Sequence, residues 1–251
     1  MKSLNKVLDI LEVFLNIGGA EIRLSELAKM SGLNKATVYH IISVLVDRGY
    51  LKQMERRGKY ALGAKFLSFS AVIKQKNKIR DIALPHLVVL NKAVKESTSL
   101  FTWDGEKVVF VDEVHSVYPI RISPEPGALI PLYCTSVGKV ALATKTNEEL
   151  EEYLSNLKIN VYTPHTITDL KILKEQINTI AGEGIAFDDE EMLTGVRTVA
   201  VGIRDAEEKL VGCVGIMGPS SRLTKSRLKK IATEIKHCAM EISLDLGYCK
   251  K

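Results

Sequence analysis

The hydrophobic and polar positions of this chain change period along its length. In the first stretch the apolar positions recur at three and four: Leu4, Val7, Leu8, Leu11, Phe14 and Leu15 form a stripe. The stripe predicts an amphipathic helix, with Ser3 as its cap and Gly18-Gly19 as its end. Ser25 is placed to cap a short second helix with Leu24, Leu27, Ala28 and Met30 on its apolar side, and Gly32 permits a tight turn after it. Asn34 then caps a third helix, KATVYHIISVLVDR, which Gly49 stops. Val38, Ile41, Ile42, Leu45 and Val46 make its buried face, leaving Lys35, Thr37, Tyr39, His40 and Ser43 near the outer face and first turns. Two helices joined by a short turn containing Gly form a helix-turn-helix, whose second helix is sized to enter the major groove of DNA.

Period-two patterning follows at once. YLKQM, the basic turn ERRGK and the returning YALG predict a hairpin placed as a wing. Arg56, Arg57 and Lys59 at its tip are suited to phosphates or to the minor groove. Tyr39 is expected to contact a phosphate or to pack against this wing. Residues 64–80 read as a linker helix, with Phe66, Leu67, Phe69, Val72 and Ile73 giving way to the basic run KQKNKIR.

Beyond it strands and helices mix. DIALPHLVVLNKAVKES reads as a helix with Pro85 in its first turns, and SLFTW with KVVFVDEV as a hairpin around Asp104-Gly105. TSVGKVALATK, NEELEEYLSNL and LKILKEQINTIAGEG are helical. VRTVAVGIR and LVGCVGIMG make a second hairpin, before a long helix carrying Leu228, Ile231, Ile235, Cys238, Ile242 and Leu246. The fold class is therefore α+β: a winged helix-turn-helix over 1–63, a linker helix over 64–80, and a domain over 81–251 with an antiparallel sheet and helices on its faces.

Composition narrows the function. The 251 residues are 46% hydrophobic and 26% charged, a globular balance. No segment approaches the apolar length of a membrane span, and the start, MKSLNKVLDILEVFL, lacks the uninterrupted apolar core of a signal peptide, so a cytoplasmic protein is expected. Residues 1–74 hold twelve Lys or Arg against six Asp or Glu, whereas residues 75–251 hold 23 against 24. The excess positive charge thus belongs to the first third, where a polyanion partner is expected.

Candidate chemistry is sparse. Cys134, Cys213, Cys238 and Cys249 have no CxxC spacing, and the five His (His40, His86, His115, His165, His237) form no metal-binding pair, so neither metal nor cofactor is expected. Asp104, Asp112 and His115 near Ser99 or Ser116 make a hydrolase triad only on paper. No G-x-S-x-G elbow, P-loop or dinucleotide fingerprint accompanies them, and no catalytic residue is assigned. Phe101, Trp103 and Phe110 read as core, and His115 as a pocket or a surface residue.

LSELAKMSGLNKATVYHIISVLVDRGYL with YALG, then GALIPLYCTSVGKVALA, then GIAFDDEEMLTGVRTVAVGI with VGCVGIMGPSSRL, occur in the order and spacing of one family. The chain resembles the IclR family of bacterial transcription regulators. The resemblance implies a GAF-like effector-binding and oligomerisation domain over 81–251. It also implies a homodimer or dimer of dimers on a pseudo-palindromic operator in double-stranded DNA. His40 stands where the family often has Arg, so operator sequence does not carry over.

The resemblance puts the effector pocket between the loop opening the TSVGK helix and the last strands of the sheet. Cys134, Thr135, Ser136, Val137 and Gly138 lie at that helix N-terminus, where free N–H groups favour a carboxylate. Alternatively Ser136 only caps the helix and Gly138 only allows close packing. Relatives sensing small 2-oxo acids use an Asp, a Cys and two Ser, which fall here on Asp188, Thr198, Gly215 and Met217. The lost donors argue against a ligand of glyoxylate size and for a larger, partly apolar acid, aromatic acids among the candidates. Asp188 to Glu191 is an acidic run, ordinarily a solvated loop; Asp188 is kept as a pocket residue. A metal-sensing winged-helix regulator and a DNA-binding protein fused to an enzymatic domain are the alternatives.

Overall fold

A computed structural model of the chain describes residues 2–54, 58–69, 78–124 and 130–249. The chain divides into two compact units, Met1–Lys78 with Glu125–Ala128, and Ile79–Pro124 with Leu129–Lys251. Both mix helices with antiparallel sheet, so the α+β class holds.

In the first unit, α1 (Lys2–Asn16) leads to a short strand β1 (Ile22–Arg23), α2 (Leu24–Ser31), α3 (Lys35–Asp47), and the hairpin β2 (Leu51–Met54) with β3 (Lys59–Leu62). The sheet order is β1-β3-β2, with Leu51 opposite Leu62 and Met54 opposite Lys59. The two-residue β1 has too little sequence to carry an alternation, and the patterning missed it. Ile10, Phe14, Leu27, Val38, Ile42 and Leu51 form the core. Three expectations change. Because α1 begins at Lys2, Ser3 lies inside its first turn instead of capping it. Arg23 takes the cap position of α2 in place of Ser25, with its N–H donated to Glu26 Oε2 at 3.1 Å. The buried stripe of α1 is Ile10, Val13 and Phe14, while Leu4, Leu8 and Leu15 are exposed. Those leucines lie well round the cylinder from the stripe that meets α2 and α3. A short helix α4 covers residues 65–69; Phe66 meets the Tyr50 ring edge to face at 5.6 Å between centroids, and Phe69 stacks on it at 6.0 Å. Residues 70–77 of the expected linker lie outside the described residues.

The second unit opens with α5 (Lys78–Val94), three residues earlier than the sequence pattern suggests. Pro85 therefore sits mid-helix rather than in the first turns. The strands β4 (Ser97–Trp103), β5 (Val108–Val114), β6 (Ile185–Asp189), β7 (Val196–Arg204) and β8 (Leu210–Pro219) form one antiparallel sheet in the order β5-β4-β8-β7-β6. Strand β6 ends in the acidic run, which hid it. The strands alternate faces. Leu100, Val199, Val214 and Ile216 pack against α5 and the final helix α9 (Lys225–Asp245). Phe101, Ala186, Ala200 and Cys213 meet α6 (Ser136–Leu142) on the other face. Outside α6, α7 (Asn147–Asn156) and α8 (Leu170–Glu183) complete that layer.

Glycine sets how closely α6 approaches the segment before it. A Cβ on Gly138 would lie 2.3 Å from Leu132 Cα, an approach no side chain tolerates. A Cβ on Gly182, within α8, would meet nothing within 4 Å. Thermal unfolding of Gly138→Ala is expected to show a loss of about 1–3 kcal/mol from overpacking. Gly182→Ala is expected to gain roughly 0.5–1 kcal/mol from helix propensity.

Candidate functional site

The first unit presents one face of α3. Asn34 Oδ1 accepts the Thr37 N–H at 2.9 Å and starts the helix, as its sequence position predicts. From that start Lys35, Tyr39 and His40 are exposed, and Thr37 and Ser43 are half-buried beside them. The Ser43 hydroxyl donates to the Tyr39 carbonyl at 2.9 Å, and Tyr39 stays 57% exposed among the described residues. Lys59 lies on the wing strand 3.7 Å from Glu21, in an ion pair too exposed to hold much. Arg56 and Arg57 lie outside the described residues.

In the second unit a row of polar groups crosses the sheet face beneath α6. Asp188, Thr198, Met217 and Ser97 are neighbours in register on β6, β7, β8 and β4. Cross-strand neighbours share a face. The Thr198 hydroxyl donates to Asp188 Oδ2 at 3.3 Å, and Ser136 Oγ lies 2.6 Å from Thr198 Oγ1. These bonds make a relay from the first turn of α6 to a carboxyl only 3% exposed. Burial pushes the Asp188 carboxyl up to about 7, against the pull of the Glu191 N–H and the Thr198 hydroxyl. Gly215 lies one pleat along the same face, where a Cβ would come within 3.0 Å of the Phe101 ring and 3.5 Å of Val137. The glycine thus lets Phe101 and Val137 close over the sheet.

The remaining expected pocket residues make structural contacts of their own. Thr135, not Ser136, caps α6: its Oγ1 accepts from the Gly138 N–H at 3.1 Å. Gly138 packs on Leu132. Cys134 joins Leu142, Leu150 and Leu173 on the outer side of α6, and burial pushes its thiol up to about 12. Such a thiol is unreactive.

Sequence patterning missed what lies behind the row. Lys139 is wholly buried, with Nζ 2.5 Å from Glu191 Oε1 and 3.0 Å from Gln176 Oε1. The Glu191 N–H in turn donates to Asp188 Oδ1 at 2.8 Å. A lysine inside the apolar run SVGKVAL was the available signal. The acidic run is no solvated loop. Asp188 and Glu191 are buried, while Asp189 and Glu190 turn outward to Arg197 at 2.5 and 3.3 Å.

Other candidates resolve similarly. Phe101 is buried and Trp103 and Phe110 pack against it as core. The His115 side chain is exposed, with Nδ1 3.2 Å from Glu113 Oε2. The paper triad is not assembled. Asp104 accepts the Glu106 and Lys107 N–H groups of its own turn, and Asp112 pairs with Arg80 of α5 at 2.7 Å. Among the described residues no helix is long and apolar enough to cross a membrane, and no three His, Cys, Asp or Glu side chains gather as metal ligands do.

Comparison with known proteins agrees with these two units. The IclR helix-turn-helix domain model matches residues 3–55, and the bacterial transcriptional regulator IclR C-terminal model matches residues 71–244. The chain is 26% identical over 248 residues to the HTH-type transcriptional regulator XynR of Escherichia coli strain K12, covering 99% of this chain and 98% of the relative. It is 31% identical to the IclR of Thermotoga maritima, whose crystal structure superposes with a TM-score of 0.74 over 99% of this chain and 100% of that one. An IclR homolog from Microbacterium hydrocarbonoxydans, solved with 4-hydroxybenzoate, has the same fold at 22% identity, with a TM-score of 0.83 over 97% and 98% of the two chains. The chain belongs to the IclR family of DNA-binding transcriptional regulators, with an N-terminal helix-turn-helix and a C-terminal effector-binding domain.

Proposed function

We propose that this regulator binds a pseudo-palindromic operator as a homodimer or dimer of dimers, and that an organic acid larger than glyoxylate sets its operator affinity. The relay of Ser136, Thr198 and Asp188 carries this reading. With the Asp188 carboxyl protonated, its O–H donates to Thr198 and Thr198 to Ser136, which leaves the Ser136 hydroxyl to donate to a carboxylate, while Met217, Val137 and Phe101 leave an apolar wall in place of further donors. A site of that make favours an acid with an apolar body. The 4-hydroxybenzoate held by the Microbacterium protein belongs to the same chemical class.

On the DNA side, Lys35, Thr37, Tyr39, His40 and Ser43 contact bases and phosphates in the major groove, and Arg56, Arg57 and Lys59 neutralise phosphates from the wing. One recognition helix reads too few base pairs for useful specificity, so paired half-sites are needed. The acid acts by population shift, binding one arrangement of the dimer better than another.

Three outcomes follow from these assignments. Replacing Arg56 and Arg57 by Ala is expected to weaken binding to every DNA sequence. It should also flatten the salt dependence of binding by about 0.9 in log–log slope for each phosphate no longer neutralised. Fluorescence anisotropy across a salt series measures both, and an unchanged slope takes the arginines off the DNA. Titration calorimetry is expected to show aromatic acids binding at least tenfold tighter than glyoxylate or pyruvate; the reverse order overturns the proposed ligand class.

Proton linkage gives the third. Above pH about 7 an ionised Asp188 repels the acid, whereas below it the neutral carboxyl donates a hydrogen bond. Acid affinity is therefore expected to rise several-fold from pH 8 to pH 6, with a ceiling of about tenfold per unit. The Asp188→Asn protein should show a flat profile, and an equal rise in both proteins removes Asp188 from the site.

A further inference from the structure

Three buried polar atoms have no partner among the described residues: Glu191 Oε2 belongs to the Lys139 pair, and the other two, Ser99 Oγ and Glu113 Oε1, lie on the effector face. Both are sealed from solvent; Ser99 is 1% exposed and the Glu113 side chain 4%. They are register partners, Ser99 on β4 and Glu113 on the edge strand β5, so they point to the same face. That face is the one bearing the relay. Ser99 pairs with Gly215 on β8, which pairs with Ala200 on β7, two residues from Thr198. Gly215 has no side chain to offer Ser99, and Phe101 and Val137 cover it, so a molecule reaching from Thr198 to Ser99 lies over those two side chains. The second carboxylate oxygen of Glu113 is occupied by His115 Nδ1 at 3.2 Å, which leaves Oε1 as the free acceptor. Buried polar atoms without partners are rare in folded proteins, and a pair of them in register marks a place where a bound molecule completes the bonding.

We propose that Ser99 and Glu113 form a second polar anchor, which holds a hydroxyl at the end of the effector remote from Thr198 and Asp188. This rests on the acid-effector reading above. A hydroxyl fits both atoms: its proton goes to Glu113 Oε1, an acceptor only, and its oxygen accepts from the Ser99 hydroxyl. A second carboxylate is repelled by Glu113, and an apolar end leaves both atoms unpaired. The length is set by the sheet. Thr198 and Ser99 stand two strands apart and two residues along, about 12 Å at a strand spacing of about 4.8 Å and a rise of about 3.4 Å per residue. The effector is thus an acid whose carboxylate and hydroxyl lie on the order of 10 Å apart, too long for a two- or three-carbon acid.

Matched pairs of acids differing only in the hydroxyl test this. The pairs are para-coumarate with cinnamate, para-hydroxyphenylpropanoate with phenylpropanoate, and omega-hydroxyhexanoate with hexanoate, each titrated calorimetrically into the full-length protein. At least one hydroxy acid is expected to bind tenfold or more tightly than its partner. In Ser99→Ala and Glu113→Gln that preference should collapse, with the deoxy acid bound as before. Thr198→Val should weaken both members alike and leave their ratio intact. Equal binding within every pair, or a preference that survives both variants, overturns the second anchor while the acid-effector reading stands. If none of the six acids binds, that reading fails and the anchor falls with it.

Discussion

Lys139 lies in the middle of α6 with its ammonium sealed from solvent, and a charge so placed is tolerated only because Glu191 meets it at 2.5 Å and Gln176 at 3.0 Å. Losing one partner of such a pair costs about 3–5 kcal/mol, so the pair fixes α6 against the turn that follows β6. The geometry of the polar row depends on that anchor. Glu191 holds Lys139 with its side chain and Asp188 with its N–H, which places the Asp188 carboxyl under Thr198. On the other side, Gly138 lets the same helix lie directly on the Leu132 backbone, and Ser136 is thereby carried to within 2.6 Å of Thr198. The anchor is polar and the wall above it apolar. That contrast is the physical basis for the proposed effector, an acid with a charged end and an apolar body.

The first unit depends on different physics. Its core is a small apolar cluster around Phe14, Leu27 and Ile42, and a single side-chain cap at Asn34 sets where α3 begins. Once that start is fixed, Lys35, Tyr39 and His40 follow on the exposed face by helical spacing alone. Charge separates the units as clearly as structure does: the excess of basic residues is confined to residues 1–74. Long-range attraction to DNA therefore acts on the first unit, and the second is left to recognise its ligand by shape and hydrogen bonding.

Much of this was legible in the sequence, for reasons that particular residues make plain. Asn34 and Gly49 bracket α3 because a cap and a left-handed stop have strong residue preferences, and Gly49 does adopt a φ of 76°. The hairpins β4–β5 and β7–β8 were readable from alternation on either side of turn residues. Half of the α1 stripe holds, since Phe14 is buried and Val7 and Leu11 pack against the core, but a second apolar stripe shares that helix, and only packing selects Ile10 and Val13 over Leu4, Leu8 and Leu15. At the polar row, Asp188 and Thr198 were reached through family resemblance, whereas Lys139 and Glu191 were not. A buried ion pair spans 52 positions in the chain, and no local pattern announces a contact between residues so far apart. The acidic run misled in the same way, since strand alternation buries Asp188 and exposes Asp189 although the two have the same chemistry.

The proposed function turns on a coupling between acid binding at the Ser136, Thr198 and Asp188 row and operator binding on α3. Linkage makes the coupling reciprocal: whatever factor the acid imposes on operator affinity, the operator imposes on acid affinity. The dissociation constant of one bound acid, determined with the full-length protein alone and again saturated with operator DNA, reads that factor. Two constants are expected that differ by about 5–150-fold, equal to the acid's effect on operator affinity, and that coincide in Thr198→Val. Identical constants for the wild-type protein with and without DNA would contradict the coupling.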